Sequence, residues 1–163
     1  MAGVTPFCAG RCDSSCVRGT VMSDFLEVLR RRARGTMLET ADITFHSVTD
    51  GRALASMPFR SALAQLTGRF HAGALLTLAD SAATAACMHA VDPTGGDPGA
   101  AFPLAVQISA NVIGNVRAGT VTAEANLVHR GRTTMVAQTT VRDEQGRLLL
   151  LVTSTHLVLG ART

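Results

Sequence analysis

The chain has 163 residues, of which 47% are hydrophobic, and a formal net charge of +3. This length suits one domain with a sizeable core, and the hydrophobic content excludes disorder along most of it. The small charge and the lack of a basic patch with interleaved aromatic residues argue against nucleic acid, whereas an anionic small molecule fits. No apolar run reaches the ~18 residues of a membrane span, and no continuous apolar stretch indicates a secretory signal. We therefore expect a cytoplasmic protein that binds neither nucleic acid nor membranes.

Residues 1–21 are rich in glycine, serine and cysteine and show no hydrophobic periodicity. We predict a disordered leader over residues 1–21 and a single domain over residues 22–163. Cys8, Cys12 and Cys16 are spaced C-x3-C-x3-C, which matches no common zinc site, and no histidine lies nearby. The sequence therefore predicts no metal site.

The first predicted helix covers residues 24–34. It places Phe25, Leu26 and Leu29 on one face, and it places the arginine cluster of residues 30–34 on a solvated face or, less simply, in a patch that binds polyanions. Alternating patterns predict strands over residues 40–47 and 52–58, and an irregular segment over residues 59–70 leads to the next helix.

The central segment, residues 72–90, is rich in alanine and leucine and is apolar nearly all the way round, which is typical of a buried helix. Asp80 is the only charged residue between Arg69 and Asp92. A buried carboxylate is costly unless it is paired or takes part in chemistry. Asp80 is therefore the first candidate for a catalytic residue.

Strands are predicted over residues 104–113, 120–129, 132–142 and 147–159, and Asp143–Gly146 has the composition of a hairpin turn. Such closely spaced strands pair antiparallel. The predicted class is α+β, with one apolar helix buried in the concave face of an antiparallel sheet. Because one helix and one sheet leave apolar surface uncovered, we also expect an oligomer.

Helical spacing places Gly73, Thr77, Asp80, Thr84 and Cys87 on one small, polar stripe of the central helix. The stripe predicts the lining of a cleft between subunits, although a buried row of hydrogen-bonded threonines fits the same pattern. Cys87 is interpreted as a small core residue and not as a nucleophile, since no activating base is apparent.

The motif Phe70-His-Ala-Gly-Ala-Leu-Leu-Thr-Leu-Ala-Asp80, followed by Val128-His-Arg-Gly-Arg132, resembles the hotdog-fold acyl-CoA thioesterases, and most closely the phenylacetate-degradation branch. The resemblance implies the hotdog fold, an antiparallel sheet wrapped around one long helix. It also implies a homodimer or homotetramer that hydrolyses an acyl-CoA thioester and needs no cofactor beyond the coenzyme A of its substrate.

The resemblance also suggests site residues. It makes Asp80 the catalytic carboxylate, assisted by Gln65 and Thr84, and makes the backbone amide at position 72 the group that polarises the thioester carbonyl. Ala72 stands where this family has glycine. The residues themselves agree in part, because the amides of Ala72 and Gly73 open a helix and favour negative charge there.

Several roles remain open at this stage. Asp80 acts either as a general base on water or as a nucleophile, and His71 either orients the loop before the helix or touches substrate. Arg130 and Arg132 flank a turn glycine and either hold coenzyme A phosphates or are solvated. A non-catalytic acyl-CoA-binding protein and an acyl-thioester dehydratase are the alternatives to a hydrolase. The acyl pocket suits an aryl or a medium-chain group.

Overall fold

The computed structural model describes residues 24–96 and 102–159, so the predicted leader and its three cysteines lie outside the described residues. The helices are α1 (Asp24–Ala33), α2 (Met37–Thr40) and α3 (Ala72–Val91), with a 3-10 turn at Ser61–Leu63. The strands are β1 (Thr44–Thr49), β2 (Arg52–Pro58), β3 (Pro103–Val112), β4 (Thr120–Arg130), β5 (Thr134–Arg142) and β6 (Leu148–Val158).

The strands form one antiparallel sheet in the order β1-β2-β4-β5-β6-β3, and α3 contacts all six of them. The buried positions of α3 are mostly alanines, whose small side chains let the helix lie close to the strands. The predicted fold, a sheet wrapped around one long helix, is confirmed.

The predicted strand at residues 40–47 was misplaced, because a short helix precedes it. Gly35, at φ +71°, follows α1. The Thr36 hydroxyl then caps α2 by accepting a hydrogen bond from the Leu38 amide at 3.2 Å. Strand β1 starts only at Thr44, and a bulge between Phe45 and Ser47 interrupts its alternation.

The prediction that no segment is long enough to span a membrane was also too strict. Helix α3 has 20 residues and a mean hydropathy of 1.3, which meets the length and composition of a span. Half of that segment is buried inside the fold, as expected for the core helix of a sheet-wrapped domain.

Among the described residues, strand β3 is an edge strand that pairs only with β6. Its apolar side chains are largely uncovered: Val106 is 59% exposed, Ile108 38% and Val112 54%. The described residues therefore leave these three apolar side chains largely uncovered.

Candidate active site

Asp80 lies on the middle of α3, half-buried among alanines. Its Oδ1 atom is buried and has no hydrogen-bond partner among residues 24–96 and 102–159. Burial raises the pKa of the carboxyl above its usual range, and the charge of His156 partly opposes the increase. The side chain therefore has the unsatisfied, desolvated environment of a group held for chemistry.

The titratable group that acts on Asp80 is His156, a fully buried residue of β6. Its Nε2 atom is 2.9 Å from the Ser154 hydroxyl, whereas its Nδ1 atom has no partner within the described part of the chain. Burial lowers the pKa of His156, and Asp80 raises it in part. His156 was not among the site residues predicted from the sequence, and the structure makes it the electrostatic neighbour of Asp80.

Asp80 and Thr84 line one cavity of about 360 Å³. Apart from Arg32 and Ser81, the rest of the wall is apolar, and it comes from the three helices, β1 and the start of β3, including Leu29, Phe45 and Met88. A carboxylate at the side of an apolar cavity of this size suits a reacting group next to an acyl chain or ring.

His71 is the N-cap of α3, and its Nδ1 atom accepts a hydrogen bond from the Gly73 amide at 2.9 Å. The amides of Ala74 and Leu75 donate to the His71 carbonyl. Of the four amides that open the helix, only that of Ala72 has no acceptor among the described residues. Of the two oxyanion donors suggested by the sequence, Ala72 is thus the one whose amide is free among the described residues. The His71 ring holds the Gly73 amide, and an orienting role for His71 stays a prediction.

Ala72 and Asp80 do not meet within one chain. They are eight residues apart on the same helix, which corresponds to about 12 Å along its axis. The helix start also faces a different cavity, of about 380 Å³, lined by His71, Gly73 and Thr77. One carbonyl cannot lie within hydrogen-bonding reach of both groups of a single chain.

The turn that precedes α3 folds back on the helix start. The Gln65 amide donates to the Arg69 carbonyl at 2.8 Å, and the His71 amide donates to the Leu63 carbonyl at 2.8 Å. These bonds hold Gln65 in the turn that leads into the helix N-terminus, although its side chain lines neither of the two cavities.

Arg130 is engaged within the fold. Its guanidinium pairs with Asp50 of the β1–β2 turn and also donates to the Ala90 carbonyl in the last turn of α3. Arg132 is exposed. A role of either residue in holding coenzyme A phosphates stays a prediction. Arg132 is the better placed of the two, because it forms no ion pair among the described residues.

Cys87 is fully buried and packs with Ala90, Met135 and Val158, as predicted for a core residue. Burial, and then the charge of Asp80, raise the pKa of its thiol to about 12. A thiol with such a pKa is a poor nucleophile at neutral pH. The polar stripe of α3 therefore faces cavities as far as Thr84 and becomes core at Cys87.

Comparison with known proteins adds independent evidence. The family model described as "Thioesterase superfamily" matches residues 67–150, which include α3 and most of the sheet. The chain belongs to the thioesterase superfamily. "Putative esterase ComA2" of Bacillus subtilis is 36% identical over 76% of this chain and 94% of its own length.

Two further proteins are similar to this chain. The 1,4-dihydroxy-2-naphthoyl-CoA hydrolase of Escherichia coli is 31% identical over 76% of this chain and 86% of its own length. The crystal structure of a mutant Pseudomonas aeruginosa thioesterase matches with a TM-score of 0.74 at 27% identity, covering 83% of this chain and 94% of that one. The chain thus shares about three quarters or more of its length with each of these proteins.

Proposed function

We propose that the chain hydrolyses acyl-CoA thioesters to a free acid and coenzyme A, with Asp80 as its catalytic carboxylate. The observation that carries the proposal is the desolvated, unpaired Asp80 at the side of an apolar cavity, in a member of the thioesterase superfamily. Release of free thiol from a panel of acyl-CoA thioesters tests it.

The reaction consumes one water for each thioester. As a general base, Asp80 takes a proton from a water molecule that attacks the carbonyl carbon, and the thiolate of coenzyme A leaves and is protonated. As a nucleophile, Asp80 attacks the carbonyl carbon itself and expels the thiolate of coenzyme A, which is protonated, and water then hydrolyses the resulting mixed anhydride. Both routes place negative charge on the carbonyl oxygen, which a helix-opening amide stabilises.

We infer that this amide comes from a second copy of the chain. Within one protomer Ala72 is about 12 Å along the helix axis from Asp80, and the uncovered apolar edge of β3 offers a surface for a partner. In a two-fold symmetric dimer, each chain would contribute Asp80 to one site and the Ala72 amide to the other, so that the dimer has two equivalent sites.

The coenzyme A moiety of the substrate is supported by the name of the Escherichia coli relative, which describes hydrolysis of a coenzyme A thioester. The apolar cavity beside Asp80 supports an aryl or medium-chain acyl group. A non-catalytic acyl-CoA-binding protein would bind such a ligand without releasing thiol, and the same thioester panel separates the two functions.

The pH dependence of kcat/KM should reflect the environment of Asp80. Because burial raises its pKa above the ordinary value of 3.8 and the ionised form is needed, activity should fall with decreasing pH at a midpoint above that value. His156, when protonated, opposes the increase, so His156→Asn should move the midpoint to higher pH. A pH profile of each enzyme measures both effects.

His46→Asn is the matched control for this profile. His46 is an exposed residue of β1 that bonds the Ser56 hydroxyl, so its loss should leave the midpoint unchanged. An identical midpoint for wild type and His156→Asn would show that His156 does not act on the catalytic carboxylate.

Introducing charged residues on β3 should dissociate the protomers and, as a consequence, abolish the activity. For Ile108→Glu combined with Val112→Glu we expect a particle near the 17.0 kDa of one chain, and loss of thiol release, because the shared site is then incomplete. Light scattering and the thioester assay measure the two effects. Val128→Glu, at a 62% exposed position of β4, is the control. A monomer with full activity would contradict a site built from two chains.

A further inference from the structure

Arg32 differs from the other arginines of its cluster because it lies on the buried side of α1. It follows Phe25 and Leu29 at helical spacings of seven and three residues, whereas Arg30, Arg31 and Arg34 are exposed. Its Nη2 atom donates to the Gly95 carbonyl at 3.0 Å. The sequence predicted a solvated face, or less simply a polyanion-binding patch, for the whole cluster; for Arg32 the solvated face was wrong.

The other half of the Arg32 guanidinium is unsatisfied. The Nη1 atom is buried, has no hydrogen-bond partner in residues 24–96 and 102–159, and Arg32 makes no ion pair with any of them. Arg32 lines the same cavity as Asp80, and the ion pairs of the described residues include none between the two. Arg32 is thus a partly buried cation with no counter-charge among the described residues, and a carboxylate is the group that best offsets such a charge.

Arg32 and Asp80 reach this cavity from different elements. Along α3 the cavity follows Asp80, Thr84 and Met88, and the Asp80–Met88 interval covers about 12 Å of helix. The Arg32 guanidinium is held by the Gly95 carbonyl, just after the end of α3, and therefore beyond Met88 in the direction away from Asp80 along the chain. Apolar residues of α1, β1 and the start of β3 form the rest of the wall.

We propose that this cavity binds an acyl group whose far end bears a carboxylate, with Arg32 as the residue that selects it. The substrate class is then the mono-thioester of coenzyme A with a dicarboxylic acid, held with its thioester carbonyl beside Asp80 and its free carboxylate on Arg32. The apolar wall between the two charged groups accommodates the spacer. This inference rests on the proposed thioester hydrolysis and names its acyl group.

The test compares kcat/KM for three pairs of equal chain length: succinyl- and butanoyl-CoA, adipoyl- and hexanoyl-CoA, and suberoyl- and octanoyl-CoA. We expect the wild type to prefer the dicarboxylic member of at least one pair by about 10- to 100-fold, the range of a charge-assisted hydrogen bond. Arg32→Gln should abolish this preference, while Arg31→Gln, the same change at an exposed position of α1, should retain it.

A wild type without this preference, or an Arg32→Gln variant that keeps it, would overturn the assignment. A thioester of 6-hydroxyhexanoic acid separates carboxylate from neutral acceptors: a rate above that of adipoyl-CoA would show that a hydroxyl, and not a carboxylate, is recognised. If no thioester releases thiol, the proposed function itself fails. If thioesters are hydrolysed without any effect of Arg32, only this inference fails.

Discussion

Asparagine in place of Asp80 is expected to lower kcat by about 10²- to 10⁴-fold, the contribution of a positioned general base, while the protein stays folded. The same change should raise the free energy of unfolding at neutral pH, on the order of 1 kcal/mol, because it removes a desolvated carboxylate from the core helix. Thiol release and thermal unfolding of the same preparation measure the two effects.

The sign of the stability change follows from the pKa of Asp80. It is raised in the folded state above the ordinary 3.8, so the folded protein holds this proton more tightly than the unfolded chain. Asp80 therefore destabilises the fold increasingly as pH rises from 3.8 through the folded-state pKa, and Asp80→Asn removes that cost. Asp42→Asn, at an exposed residue with φ 58° that asparagine tolerates, is the control and should change neither quantity.

Proline in place of Ala72 is expected to lower kcat by about 10²- to 10³-fold, the effect of removing one oxyanion donor. Ala72 is the first residue of α3, where proline is favoured, and the His71 backbone, at φ −66° and ψ 136°, suits a residue that precedes proline. The substitution therefore removes the unpaired amide without disturbing the helix. Circular dichroism checks the helix, and kcat on the best thioester gives the result.

Ala72→Gly keeps the amide and should keep the activity, so it separates the effect of losing the donor from the effect of changing the side chain.

Co-expression of Asp80→Asn and Ala72→Pro chains tests whether two chains share one site. It should restore about a quarter of the wild-type activity, because half of randomly assembled dimers are mixed and each of these has one intact site. No recovery would indicate that both groups serve one site within a single chain.

The sequence predicted the main features of the fold because they depend on local patterns. The long apolar helix, the hairpin at Asp143–Gly146 and the antiparallel strands follow from periodicity and turn composition. Helix α2 was missed because its four residues are too few to show a period, and its capping Thr36 was not recognised as a helix start.

Within the candidate site, Asp80 was predictable because a charge interrupts an otherwise apolar helix. The spacing of two further residues in the sequence already indicated that they face the interior, although they were not predicted as site residues. His156 follows Leu150, Val152 and Ser154 at alternate positions on the buried face of β6, and Arg32 continues the apolar spacing of α1. The residues alone offered the amides of both Ala72 and Gly73, and only the family resemblance favoured position 72; the hydrogen bond from the Gly73 amide to the His71 ring could not be read from the sequence.

The central claim is that this chain is an acyl-CoA hydrolase that depends on Asp80. The most direct measurement is the rate of thiol release from the acyl-CoA panel by the wild type, Asp80→Asn and Asp42→Asn side by side. We expect turnover by the wild type and Asp42→Asn and a loss of about 10²-fold or more in Asp80→Asn. A wild type that binds these thioesters without releasing thiol, or an Asp80→Asn variant that is as active as the wild type, would contradict the claim.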